Sequence, residues 1–313
     1  MVVSPNGRPE GEHRSAQHEG TPMSPTVRGY LFATPLVIVL AAVVIIPALY
    51  NAGLAFFKYD AMRQAWQFIG AQNFTNLVAR DEFGNAVWVT LIWVTGNVLL
   101  QLVLGMAVAL ALNAVTRLRA FYSAVVMVPW VSSFVIVAVV FLWLYHPELG
   151  VLNDMLMRLG IIGEPIAWLA SPGMAQISLI LANTWKFFPL VAITLFTGLQ
   201  GIPRELVEAS AIDGADRFKT LRHIVLPLMA PSIATAVLLS AIWAFNAFTL
   251  SIIMTGGGPL RATEVMGLYI YKVAFDSFEF GIAAAASFLL FVVILIITMA
   301  YLRVADPAHE LRG

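Results

Sequence analysis

Three stretches of this chain, residues 29–57, 83–116 and 120–147, contain no Asp, Glu, Lys or Arg. A run of about 20 apolar residues is enough to cross the hydrocarbon core of a bilayer, and each of these is longer. Inside lipid no water satisfies a free N–H or C=O, so a crossing segment must be a helix or a strand of a closed barrel. The runs are continuously apolar rather than alternating, which selects helices. Composition points the same way. The 313 residues are 60% hydrophobic and 12% charged, whereas soluble domains carry about 25% charged residues. The expected fold class is all-α, a polytopic membrane protein embedded in a lipid bilayer.

Six transmembrane helices are predicted, near 29–51, 86–113, 121–145, 174–199, 228–254 and 280–302. Lys186 interrupts the fourth. Pro35, Pro47, Pro129 and Pro189 fall within spans and are expected to kink them. With the N-terminus inside, eleven Lys and Arg residues fall in inner segments and six in outer loops. This follows the positive-inside rule, so both termini of the multi-pass chain are expected in the cytoplasm. The first 27 residues, rich in Pro, Gly, Ser, Glu and His, read as a disordered tail. The apolar stretch after it is too long for the core of a cleavable signal. His13 and His18 read there as solvated side chains. The absence of cysteine excludes disulfides and thiolate metal sites, and a formal net charge of zero argues against a nucleic-acid partner. No metal site is predicted.

Against this background residues 204–231, RELVEASAIDGADRFKTLRHIVLPLMAP, form one long charged insertion. Pro203 suits a first helical turn. Arg204 to Ile212 read as a helix with Leu206, Ala209 and Ile212 on one face. Glu208 sits beside the small residues Ala209, Ser210 and Ala211, which let a second protein approach closely. Asp213-Gly214 ends the helix, with Gly214 suited to a left-handed cap. Residues 216–225 resume a helical pattern with Phe218, Leu221 and Ile224 on one side, and Pro227 and Pro231 mark re-entry into lipid. Pattern alone leaves two readings open: a docking helix for another protein, or an amphipathic loop lying on the bilayer.

The order Glu208-Ala209-Ser210, Gly214, Ile224, Leu226, Pro227 resembles the EAA loop of ABC importer permeases, with Ser in place of the second Ala. Asn183-Thr184-Trp185-Lys186 with Pro189, Leu199-Gln200 with Ile202-Pro203, Met254 through Pro259, and Phe68-Ile69-Gly70 with Asn73-Phe74 resemble its carbohydrate branch. The resemblance runs over residues 30–302 and is of the maltose-permease F and glycerol-phosphate-permease A type. It implies a type I ABC importer transmembrane fold in a bacterial inner membrane, enclosing half of a sugar path. A second homologous permease subunit, two cytoplasmic ATPase subunits and an extracytoplasmic sugar-binding protein are the implied partners. The implied organisation is a tail at 1–27, a first span with outer loop at 28–85, a core at 86–302 containing the coupling loop 201–227, and a tail at 303–313. Glu208, Ala209, Ser210, Asp213, Gly214, Ile224, Leu226 and Pro227 would carry the ATPase coupling. No GxxxxGK[ST] sequence occurs, so ATP and magnesium belong to the partner ATPase and this subunit is expected to be non-catalytic and free of cofactor.

The same resemblance places substrate contacts at Lys186, Phe187, Leu190, Ser240, Ala244 and Ala247. The maltose-permease relative has asparagines where Ala244 and Ala247 stand, so its hydrogen-bond set is not reproduced. Asn246, Thr249 and Trp243 are candidate replacements, and helical spacing puts Ser240, Trp243 and Ala247 on one face. Lys186 has two open readings. An ammonium at membrane depth costs about 2.5–3.5 kcal/mol, so it either donates to a sugar hydroxyl or phosphate, or pairs with a carboxylate or carbonyl of the partner subunit or snorkels to an edge. Asn97 and Gln101, one turn apart, read as interhelical hydrogen bonds. The competing function is an ion-coupled secondary transporter or channel, which needs intramembrane carboxylates or inverted repeats; no Asp or Glu lies within the six spans. An integral membrane enzyme would need paired acids or a His cluster, and Glu148, Asp154 and Glu164 are scattered.

Overall fold

The computed structural model describes residues 25–60, 65–115, 117–246 and 248–304. The chain forms two compact units, Met1–Tyr50 and Asn51–Gly313. In the first, α1 (Pro25–Leu40) continues through a π turn (Ala41–Ile45) into α2 (Ile46–Leu54). No residue from Phe32 to Tyr50 is buried. A helix apolar on every side is what lipid requires.

The second unit opens with a short antiparallel hairpin, β1 (Phe57–Asp60) and β2 (Ala65–Phe68). These two strands depart from the purely helical expectation. Their aromatics explain them: Phe57 meets Phe68 at 5.4 Å and Tyr59 meets Trp66 at 5.0 Å across the pair, the contact that stabilises a ribbon. Then follow α3 (Gln72–Val78), α4 (Asp81–Ala114), α5 (Arg119–Val131), α6 (Phe134–Leu144), α7 (Val151–Arg158) and α8 (Pro172–Gln200). The chain continues through α9 (Arg204–Ile212), α10 (Arg217–Thr220), a second π turn (Leu221–Val225), α11 (Leu226–Leu228), α12 (Ala230–Asn246), α13 (Thr249–Met254), α14 (Met266–Phe275) and α15 (Phe280–Val304).

Two predicted spans are not straight. The third is broken, α5 and α6 meeting at 88°. The break falls at Ser132-Ser133, three residues past Pro129, while α8 runs unbroken through Pro189. The fifth, expected as one helix over 228–254, bends 71° at its entry and ends at Asn246. Among the described residues four helices are long and apolar enough to cross a membrane, and six spans result when each bent pair counts as one.

Helix direction follows from contacts. Gly96 lies against Ile180, Asn97 bonds Asn183, and Gly105 lies against Val191. Both numbers rise together, so α4 and α8 are parallel, and the broken pair between them must cross the membrane. On the other side Gly198 lies against Ser232 while Phe187 packs on Trp243, so α12 runs antiparallel to α8. α4 and α15 begin at one membrane face, where Arg80 Nη1 and Nη2 hold both carboxylate oxygens of Glu279 at 2.7 and 2.8 Å. With ten residues, α14 is about 15 Å long and stays at that face.

Close packing of α4 on α8 depends on glycine. A Cβ at Gly105 would stand 2.7 Å from Val191 Cγ1 and 3.2 Å from the backbone nitrogen of Ala192. Small residues are what let membrane helices touch. Gly105→Leu is expected to cost about 1–3 kcal/mol by forcing the helices apart; an unchanged thermal midpoint in detergent would contradict this. At the opposite face, the Arg80 hydrogen bond holds the Glu279 carboxyl below the usual carboxylate range. A depressed folded pKa stabilises above the unfolded carboxylate range and loses that contribution as pH falls through it. The pair is half-exposed, so its worth is about 0.5–1 kcal/mol. The thermal difference between wild type and Arg80→Ala should therefore be present at neutral pH and vanish on acidification below that range.

Candidate functional site

The coupling candidates lie at the membrane face opposite Arg80 and Glu279. In α9 only Ser210 is buried; Glu208, Ala209 and every other residue of the helix are exposed. The helix ends in a Schellman motif: Ala215 N donates to the Ser210 carbonyl at 2.9 Å and Gly214 N to that of Ala211 at 3.2 Å. Gly214 supplies the left-handed φ of +79° that this cap needs. A Cβ there would meet nothing within 4 Å, so its constraint is conformational alone. Asp213 is the exposed residue at which the helix ends. Asp216 caps the next turn by accepting from Lys219 N at 2.8 Å.

The serine that departs from the EAA pattern has a physical role. Its hydroxyl donates to the Val207 carbonyl at 2.7 Å and meets Thr220 Oγ1 at 3.0 Å, tying α9 to α10. An alanine there could make neither contact. Beyond Ile224, the return segment is anchored: Val225 and Met229 are buried with Leu112, Leu199 and Ala236, while Leu226 is half-buried and Pro227 exposed. Under α9 a cavity of about 540 Å³ is lined by Asn113, Arg119, Gln200, Arg204 and Glu208 among others. Leu206, Ile212 and Phe218 are exposed apolar side chains beside these charges, outside the spans.

The substrate candidates divide into two groups. Lys186, 4% exposed, turns toward the break in the third span. Its ammonium donates to the Trp130 carbonyl at 3.1 Å and to the Ser132 carbonyl, and lies 4.6 Å from the centre of the Phe134 ring. These carbonyls are the C-terminal end of α5, where the helix dipole is negative. The partner of Lys186 is thus its own chain's backbone. Phe187 instead packs between Phe134 and Trp243, with centroids at 5.6 Å to each. Trp243 remains partly open, and Leu190 is half-buried one turn below Phe187.

Ser240 is buried, and its Oγ has no hydrogen-bond partner among the described residues; the same holds for Gln101 Oε1, Asn183 Oδ1 and Thr184 Oγ1. Asn97 accepts from Asn183 at 2.7 Å and from Gln101 at 3.3 Å. This interhelical contact is the one expected of Asn97. Ala244 is buried and its carbonyl accepts Trp93 Nε1 at 3.0 Å, a packing role. Asn246 is exposed at the end of α12 and donates to its own helix at Ile242; Thr249 starts α13. Ala247 lies outside the described residues.

A model of the family described as binding-protein-dependent transport system inner membrane component matches residues 101–308. The chain belongs to this family. A probable ABC transporter permease protein of Brucella suis biovar 1 is 33% identical over 281 residues, 90% of this chain and 97% of the relative. The trehalose/maltose transport system permease protein MalF of Thermococcus litoralis is 32% identical over 276 residues, 88% of this chain and 92% of the relative. Among solved structures, a bacterial ABC transporter involved in import of the acidic polysaccharide alginate contains a chain with TM-score 0.74 and 25% identity, covering 90% of this chain and 95% of that one. The permease fold, in the type I importer arrangement, is the one these helices adopt.

Two outcomes follow from this geometry. Lys186→Met leaves the Trp130 and Ser132 carbonyls without a charged donor. It is expected to destabilise the permease by about 1–3 kcal/mol, with Lys186→Gln recovering part; equal thermal midpoints for wild type and Lys186→Met would refute the clamp. At the cap, Gly214→Val places a branched residue in left-handed backbone, which costs about 1–2 kcal/mol, and should loosen α9. Gly214→Asn should be far milder, read as protease sensitivity of the loop.

Proposed function

We propose that this chain is the transmembrane permease subunit of an ATP-driven, binding-protein-dependent carbohydrate importer of the bacterial plasma membrane, with both termini in the cytoplasm. The observation that carries the reading is α9: a capped, exposed helix held to the spans by the buried residues Val225 and Met229. α9 presents charged and apolar side chains together, a mixed surface that suits a cleft in another protein. In this reading α9 docks on one of two ATPase subunits, with Glu208 and Gly214 the most sensitive positions. ATP and magnesium stay with those subunits, and this chain hydrolyses nothing. A second, homologous permease closes the path, and an extracytoplasmic binding protein delivers the sugar.

Carbohydrate is favoured as cargo on two grounds. The named relatives include a trehalose/maltose permease and a component of an alginate importer. Within the spans, Trp243 exposes an aromatic ring backed by the buried Phe187 and one turn from the buried, unpartnered hydroxyl of Ser240, and an aromatic face suits a sugar ring. Lys186, engaged by the backbone, serves in this reading as the clamp of the broken span and positions Phe187 from behind. Ion-coupled transport is disfavoured by the lack of Asp or Glu between residues 83 and 147 and between 165 and 204.

The complex reconstituted in vesicles tests this. Glu208→Lys and Gly214→Asp are each expected to abolish ATP-dependent carbohydrate uptake while the subunit still inserts and assembles its spans. Unimpaired uptake by either variant, or uptake with no ATPase chain present, would be decisive against it.

A further inference from the structure

The charged insertion between α8 and α12 divides its charge by sign. Residues 204–213 hold one cation, Arg204, against Glu205, Glu208 and Asp213. The return arm Arg217–Leu228, which joins α10, the second π turn and α11, holds Arg217, Lys219 and Arg222 and no Asp or Glu. Asp216 precedes it and accepts from Lys219 N, with Lys219 Nζ 3.9 Å from its other oxygen. Among the described residues Arg217 and Arg222 meet no carboxylate. Cations in a first helical turn oppose the helix dipole, so the arm's own backbone disfavours Arg217 and Lys219. Their sign requires an anion outside the arm.

The arm also has a defined direction. It is inclined 71° to α12, the span it feeds, and therefore runs close to the membrane plane over about 18 Å. Val225 is buried and Leu221 half-buried against the ends of α4 and α8. The open side carries Arg217, Lys219, Arg222 and His223, all exposed. Phe218 beside them is 68% exposed, and Leu228 is exposed where the chain turns into α12. A basic helix that lies along the bilayer, exposes an aromatic ring and continues into a span suits the headgroup layer.

We propose that the return arm rests on anionic phospholipid of the inner leaflet, with Arg217, Lys219 and Arg222 on phosphate oxygens and the Phe218 ring at headgroup depth. The same surface repels the acidic residues of α9. One insertion thus sorts its two helices, α9 toward the ATPase and the arm toward lipid. Because Ser210 Oγ meets Thr220 Oγ1 at 3.0 Å, the position of the arm also sets where α9 stands, and lipid charge regulates coupling. That last step rests on the permease reading; contact with lipid does not.

The assembled complex in vesicles of phosphatidylcholine, with and without phosphatidylglycerol, tests this. The chain contains no cysteine, so Phe218→Cys and Ile212→Cys each place one fluorophore on this subunit, with the unsubstituted complex treated alike as blank. Spin-labelled phosphatidylglycerol should quench the Phe218→Cys label at least about threefold more than the Ile212→Cys label, and high salt should shrink the difference by screening. ATP-dependent carbohydrate uptake should rise at least about threefold with phosphatidylglycerol, and the combined Arg217→Gln, Lys219→Gln and Arg222→Gln variant should lose that rise. Equal quenching of the two labels overturns the proposal. So does quenching of the Phe218→Cys label only after the ATPase subunits are stripped away, which would assign the arm to the ATPase. Recovery of uptake in phosphatidylcholine on adding inorganic phosphate, or a rise that the triple variant retains, overturns the regulation by lipid. If quenching is as expected but the unsubstituted complex takes up no carbohydrate, the functional reading fails and the lipid contact stands.

Discussion

In hydrocarbon every helix end exposes carbonyls that water cannot reach, and the bundle is organised around supplying their partners. The 88° break of the third span is the acute case, because it strands the end of α5 at membrane depth. Lys186 from α8 meets two of those carbonyls, and Ser132 Oγ donates to a third at Val128. At the end of α4 Arg119 does the same, its Nε donating to the Val115 carbonyl at 3.0 Å. Cations at helix C-termini also oppose the negative end of the dipole. A charge that looks costly in sequence is thereby the condition for a broken helix to exist in the bilayer.

The clamp and the candidate path meet at Phe187. Its ring lies between Phe134, which sits under the Lys186 ammonium, and Trp243 on α12. Any shift of the break therefore reaches the aromatic pair through one side chain. Parallel packing of α4 on α8 sets Gly96 against Ile180 and Gly105 against Val191. On the other side of α8, α12 meets the segment that precedes it at a 71° bend.

At the face opposite Arg80 and Glu279 the geometry is simpler. α9 leaves α8 after three residues and returns through Val225 and Met229, both packed against Leu199 and Leu112. The exposed, capped helix is thus tied to the spans at two points. The Ser210–Thr220 contact keeps the two arms of the segment together.

Much of this was legible in sequence. Charge-free runs announced membrane helices, and Pro203 and Gly214 marked the limits of α9, since caps and breaks are local properties of a few residues. The break at Ser132-Ser133 was not legible, because Pro129 and Pro189 look alike in sequence and only the latter sits in a helix that neighbours hold straight. Lys186 was left between two roles for the same reason: its partners are 54 and 56 residues away in the chain. The hairpin was not legible, because its aromatic pairs meet only when the two strands fold back on each other. The sequence by itself determined that this chain lives in a bilayer, how many segments are apolar enough to cross it, and where the polar insertion lies, since these depend on composition and nearest-neighbour chemistry. Only the tertiary structure decided which helices run parallel, what the buried lysine holds, and which aromatic rings meet, because those are contacts between residues that the chain order keeps far apart.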